Sequence, residues 1–198
     1  MNILISGPLL SMSEVGDYSR QMLEFIFEKY KNHNIFCNII NEEKYSWNLS
    51  KKSKHFDKII NNFISEKDLN NKKFKVSFQI CNPSKWNISI AEKNIGVFTG
   101  IESSMCCEKW LDNILLMDEV IVPSSHVLKT ILNSKKYYLV DKIKTPIKLI
   151  PKWFSVNTNI KSNNINNILN KVKTEKNLLL HGDLSCLDPS FDKKNFIK

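Results

Sequence analysis

From its first residues the chain switches between two hydrophobic periods, and this switching limits its fold more than any other feature. Asn2-Ile3-Leu4-Ile5-Ser6 is an unbroken apolar run ended by Gly7-Pro8. Such a run, bounded by turn residues, reads as a strand buried on both faces. Residues 17–30 then set Tyr18, Met22, Phe25, Ile26 and Tyr30 at helical spacing, with Asp17 in position to cap the helix.

The alternation continues. Strands are expected at Asn34–Ile40, Lys75–Cys81, Ile95–Thr99, Glu119–Val122 and Ile147–Ile150, and helices over 54–67, about 107–116, and from Ser124 to about Ser134. Short Ile- and Val-rich strands suit a sheet covered by helices on both faces. Strands alternating with helices imply parallel βαβ units. The expected fold is therefore α/β, a Rossmann-like parallel sheet flanked by helices over residues 1–155. Residues 156–176, rich in Asn, Lys and Ser, read as a connector, and 177–198 as the first strand and loop of an incomplete second domain.

The net charge of +9 suggests nucleic acid until it is located. Residues 129–176 hold eleven lysines against Asp141 and Glu175, and the rest of the chain balances at eighteen basic and eighteen acidic residues. Arg20 is the only arginine, whereas bidentate reading of guanine or phosphate favours arginine. A specific nucleic-acid reader is not expected. The basic quarter does mix lysines with aromatics, in Lys135-Lys136-Tyr137-Tyr138 and Lys152-Trp153-Phe154, which suits peripheral contact with an anionic membrane or single-stranded nucleic acid; the alternative is a solvated lysine face. No apolar run reaches the roughly 18 residues of a membrane-spanning helix. Met1–Leu10 lacks the marks of a secretory signal, so the expected location is cytoplasmic.

Cysteines 37, 81, 106, 107 and 186 are odd in number and without CxxC spacing, so neither a metal site nor a disulfide framework is expected. The candidate site segments are loops after strands. Gly7 and Gly16 bracket the first such loop, followed by Asp17 and Tyr18. In open parallel sheets, ligands bind beyond the carboxyl ends of strands. Glu102 follows the fourth strand, and Ser124 and His126 follow the next. Asp17 and Ser124 each admit two readings, ligand contact or helix cap. His126 is open between a site and a surface role, and Trp110 between a site and the core.

Taken in order, Gly16-Asp17-Tyr18-Ser19-Arg20, Glu102-Ser103-Ser104 leading to Trp110, Asp118-Glu119-Val120-Ile121-Val122-Pro123-Ser124, and Ile150-Pro151 resemble the N-terminal half of family 4-like glycosyltransferases of the GT-B fold. Leu178-Leu179-Leu180-His181-Gly182-Asp183 and Asp192-Lys193-Lys194-Asn195 are similar to the opening of that family's second domain, with Lys193 in place of a common arginine.

The resemblance implies transfer of a sugar from a nucleotide-sugar donor to an acceptor hydroxyl across a cleft between two domains, without a further cofactor. It assigns Glu102 as the catalytic carboxylate, and Gly7, Gly16, Asp17, Tyr18, Ser124 and His126 to substrate binding. The family's donor-side Arg/Lys pair and paired glutamates have no counterpart. The chain is therefore expected to be inactive alone, with a second chain supplying the donor domain. The alternative is a non-catalytic carbohydrate- or partner-binding module on the acceptor-side fold.

Overall fold

A computed structural model of the protein describes residues 1–40, 48–100, 103–139 and 144–152. The connector and second-domain segment expected past residue 155 lie outside the described residues, as does Glu102. Six strands, β1 (Asn2–Gly7), β2 (Asn34–Ile39), β3 (Phe74–Ile80), β4 (Ala91–Val97), β5 (Glu119–Val122) and β6 (Ile147–Leu149), form one sheet in the order β2-β1-β3-β4-β5-β6. Every neighbouring pair is parallel. The α/β Rossmann-like sheet read from the periodicities is the one observed.

Helices α1 (Glu14–Lys29), α2 (Lys54–Asn61), α3 (Glu66–Asn71), α4 (Glu108–Leu116) and α5 (Ser125–Tyr137) cover it. The alternating side chains of the strands divide the buried residues into three clusters, the smallest of them Leu4, Ile64 and Phe74. Ile3, Ile5 and Ile121 join Met22, Leu23 and Ile26 of α1 on one face. Val120 and Val122 join Trp110, Leu111 and Ile114 of α4 and Val127 and Ile131 of α5 in another cluster. All four residues of β5 are buried, which is why this strand has no polar alternation.

Three elements depart from the periodicity. Helix α1 starts at Glu14 rather than Asp17, because Ser13 is the cap: its Oγ accepts from Gly16 N at 3.1 Å. The helix expected over 54–67 is two helices. Between them Cys37 N donates to Asn62 O (2.7 Å) and Ile64 N to Cys37 O (3.0 Å), so this segment pairs with the outer edge of β2. An open edge strand invites pairing with other chains, and this short bridge covers part of it. Ser65 then caps α3 through Asp68 N at 3.2 Å.

The third departure is the connection from β3 to β4. A parallel pair is ordinarily joined by a helical crossover of a dozen residues or more. Here residues 81–90 make the return with only a 3₁₀ turn at Pro83–Lys85. Buried polar side chains hold it down. Gln79 donates to Asn87 O (2.7 Å) and accepts from Asn87 N (2.7 Å), and Asn94 Nδ2 donates to Ile88 O and Ala91 O, both at 2.8 Å. Ser77 Oγ joins the two through Asn94 Oδ1 (2.9 Å) and Gln79 Nε2 (3.1 Å). Trp86 closes the return by lying on Gly96, where a Cβ would come within 2.6 Å of its ring. Buried amides are stable only when so paired.

Candidate functional site

Because all six strands are parallel, the loops after β1, β3, β4 and β5 open at one edge of the sheet. The chain moves from β1 outward to β2, then back past β1 to β3. The carboxyl ends of β1 and β3 are thus a topological switch point, the place where sheets of this kind bind ligands. Gly7 stands there. Its carbonyl accepts from Leu9 N (2.8 Å) and Ile40 N (2.9 Å), tying the exits of β1 and β2 together. A Cβ on Gly7 would lie 2.9 Å from Ile80 O and 3.0 Å from Ser19 Oγ, so glycine permits β3 and α1 to close on this point.

The rest of the first loop is held from within. The side chain of Arg20 is 4% exposed. Its Nη1 donates to Leu9 O at 2.9 Å and Ser11 O at 2.5 Å, and Nη2 pairs with Asp17. A guanidinium provides five donors in a fixed plane, enough to clamp a loop with several free carbonyls. Gly16, in the first turn of α1, is the surface on which that loop lies: a Cβ there would be 2.1 Å from Ser11 O. Asp17 is exposed and engaged with Arg20, and does not cap the helix. Tyr18 is 2% exposed and packs in the core beside Met22 and Leu9; burial raises its phenol pKa. Lys152, just past β6, reaches back across the sheet edge, lying 5.6 Å from the centre of the Tyr18 ring and pairing with Glu14.

On the β4–β5 side, Gly100 takes a left-handed φ of +124° and lies against the start of α5, where its Cβ would be 3.1 Å from Val127 Cγ2. Thr130 Oγ1 donates to Ser103 O (3.0 Å), and Cys106 N donates to Ser134 Oγ (2.8 Å). Residues 103–106, which follow Glu102, are therefore fastened along α5. Ser124 caps that helix, accepting from Val127 N at 3.3 Å, and His126 is exposed in its first turn. Trp110 is core, edge-on to Phe98 at 5.6 Å between centroids.

Gly7, Gly16 and Asp17 thus share the carboxyl edge with Ser124 and His126. At about 4.8 Å per strand the ends of β1 and β5 stand roughly 14 Å apart. The segment from Asp118 to Ser124 does not act as a unit at this edge. Asp118 Oδ2 accepts from Asn94 N (2.7 Å), and Glu119 binds Lys93 (3.0 Å) and Lys148 (2.7 Å), all at the opposite, amino edge. Burial raises the pKa of Glu119, but the two lysines outweigh it and hold the carboxyl below its ordinary value. Among the described residues no group of three or more His, Cys, Asp or Glu is placed to hold a metal ion. No helix among them is long and apolar enough to cross a membrane.

Sequence reasoning did not foresee the clamp of Arg20 on the first loop, the Lys152–Glu14 pair or the Trp86–Gly96 contact. The one available signal was the solitary arginine directly after the loop it clamps. Fold and edge together define an open parallel α/β protein of Rossmann-like class, with its candidate site between the β1 and β3 exits. Comparison with protein-family models, curated proteins and solved structures gave no match.

Proposed function

We propose that this chain is the acceptor-side half of a glycosyltransferase that moves a sugar from a nucleotide-sugar donor to an acceptor hydroxyl. The reading rests on the ordered resemblance of its segments to family 4-like enzymes. The observation that supports it best is that the glycine-bearing first loop and the Ser124–His126 helix start lie at the same sheet edge, roughly 14 Å apart. Glu102 is the carboxylate assigned to the reacting centre, where an oxocarbenium-like charge would develop. Gly7, without a side chain, lets β3 and α1 close beneath the first loop, and His126 offers an exposed donor or acceptor to a hydroxyl. The donor diphosphate needs cationic or N–H donors, and Arg20 is committed to the loop. The donor side is assigned, on the resemblance, to a second domain or partner chain.

One observation favours the second reading, a non-catalytic carbohydrate-binding module: at the described carboxyl edge both Glu14 and Asp17 are already paired with cations. Backbone amide NMR with simple glycosides and with nucleotide sugars tests the proposal. Glycoside-induced shifts confined to Gly7–Ser13, Gly100–Ser104 and Ser124–His126 are expected, and their absence from all three segments would overturn it. Loss of transfer, but not of glycoside binding, on Glu102→Gln in the chain reconstituted with a donor domain separates the enzyme from the module.

A further inference from the structure

Helix α5 carries three lysines, Lys129, Lys135 and Lys136, and no acidic residue. None of the three has an ion-pair partner among the described residues. Its outer face is not purely polar: Leu132 is 48% exposed and Tyr137, in the last turn, 65%. Directly beyond the helix, Leu139 is 84% exposed and stands at φ +55°. For a leucine this left-handed conformation is strained. Burial in the fold does not recover that cost, because the side chain faces water. A strained backbone that presents a large apolar side chain to solvent, beside unpaired cations, is the arrangement of a surface that meets an apolar phase under anionic charge.

We propose that the outer face of α5 and the Leu139 turn dock this chain on an anionic lipid surface. The lysines supply attraction to acidic headgroups, and Leu132, Tyr137 and Leu139 enter the boundary between headgroups and acyl chains. The surface is placed so that it leaves the candidate site free. Helix α5 starts at the carboxyl edge and runs about 20 Å toward the amino edge, so Tyr137 and Leu139 lie a helix length from Ser124. The inference is independent of the sugar-transfer reading, because it uses none of that site's residues.

The experiment is sedimentation of the full chain with vesicles of phosphatidylcholine alone and of phosphatidylcholine mixed with phosphatidylserine, at low and high salt. Binding only to the acidic vesicles, weakened by salt, is expected. Replacing the cations together (Lys129→Gln, Lys135→Gln, Lys136→Gln) is expected to weaken it about a hundredfold, at roughly fivefold per lysine. Leu139→Asn separates docking from folding, because asparagine tolerates the left-handed conformation: thermal stability is kept or raised while vesicle affinity falls about tenfold. Equal binding to both vesicle types, binding that survives the triple substitution, or unchanged affinity in Leu139→Asn would overturn the proposal. So would tighter binding to a single-stranded oligonucleotide than to acidic vesicles at the same salt.

Discussion

Replacing Gly16 by alanine sets two effects of opposite sign against each other. Alanine is the better helix former by about 1 kcal/mol, so on propensity alone a first-turn Gly→Ala change in α1 should stabilise the fold. The geometry opposes this. The new Cβ would be 2.1 Å from Ser11 O, 2.9 Å from Ser11 C and 3.0 Å from Pro8 O, all backbone atoms. To restore ordinary contact the Ser11 carbonyl must retreat by roughly 1.3 Å, an overpacking displacement of the kind that costs about 1–3 kcal/mol.

That carbonyl is also bound by Arg20 Nη1 at 2.5 Å. A hydrogen bond to a buried charge contributes about 1.5–3 kcal/mol, and the retreat strains or breaks it. The clash therefore wins, and Gly16→Ala is expected to destabilise by about 2–4 kcal/mol after the propensity gain. For a domain of this size that lowers Tm by roughly 5–15 °C. Urea denaturation followed by circular dichroism measures it. A double-mutant cycle with Arg20→Lys should show coupling of about 1 kcal/mol or more, because both substitutions strike the same Ser11 contact. A variant as stable as the parent, or more so, would refute the packing argument and return Gly16 to a ligand role.

Gly96→Ala should displace the Trp86 ring, which lies within 2.6 Å of the added Cβ, and cost about 1–3 kcal/mol; tryptophan emission is expected to shift to the red, and not to shift in a Trp86→Phe background. Glu119 has its pKa held below the ordinary 4.5, so its contribution is complete above that value and is lost as pH falls through the lower, folded one. Glu119→Gln should accordingly cost about 1–2 kcal/mol at pH 7, because the carboxylate is buried and its lysines half exposed, and the difference from the parent should vanish in acid melts. Among the described cysteines only Cys107 is exposed, and burial pushes the Cys37 thiol up to about 12. Cys107→Ser is therefore expected to remove one fast equivalent from thiol labelling of the native chain, whereas Cys37→Ser should remove none.

Strands β1 and β5 were legible because their apolar runs are short, buried on both faces and ended by Gly7-Pro8 and Pro123. Helix starts were less so. Ser13 and Asp17 are both good capping residues, and the choice of Ser13 depends on Gly16 packing against Ser11, a contact no periodicity contains. The break between α2 and α3 was hidden for a similar reason: Phe63 and Ile64 continue the helical stripe, but the outer edge of β2 claims their backbone. At the candidate edge, Ser124 was readable as a cap from Pro123-Ser124 alone. The clamping of the loop by Arg20 was not, because the loop acceptors, Leu9 O and Ser11 O, are backbone carbonyls, and every residue has one. Trp86 likewise gave no sign that its partner would be the missing side chain of Gly96.

The helix-free return between β3 and β4 also bears on how the chain finds its fold. To pair, β1 and β2 must close residues 8–33, and β5 and β6 must close 123–146, whereas β3 and β4 close only 81–90. Loop-closure entropy favours the short return by about 0.7–1 kcal/mol over those helical crossovers, and Gln79, Asn87 and Asn94 supply its hydrogen bonds locally. The two central strands can therefore pair before either flank has assembled, giving a seed on which β1 docks from one side and β5 from the other. The contact between Glu14 and Lys152 spans 138 residues and belongs to the end of that sequence. Changes at Asn94 should consequently slow folding, and changes at Lys152 should chiefly hasten unfolding.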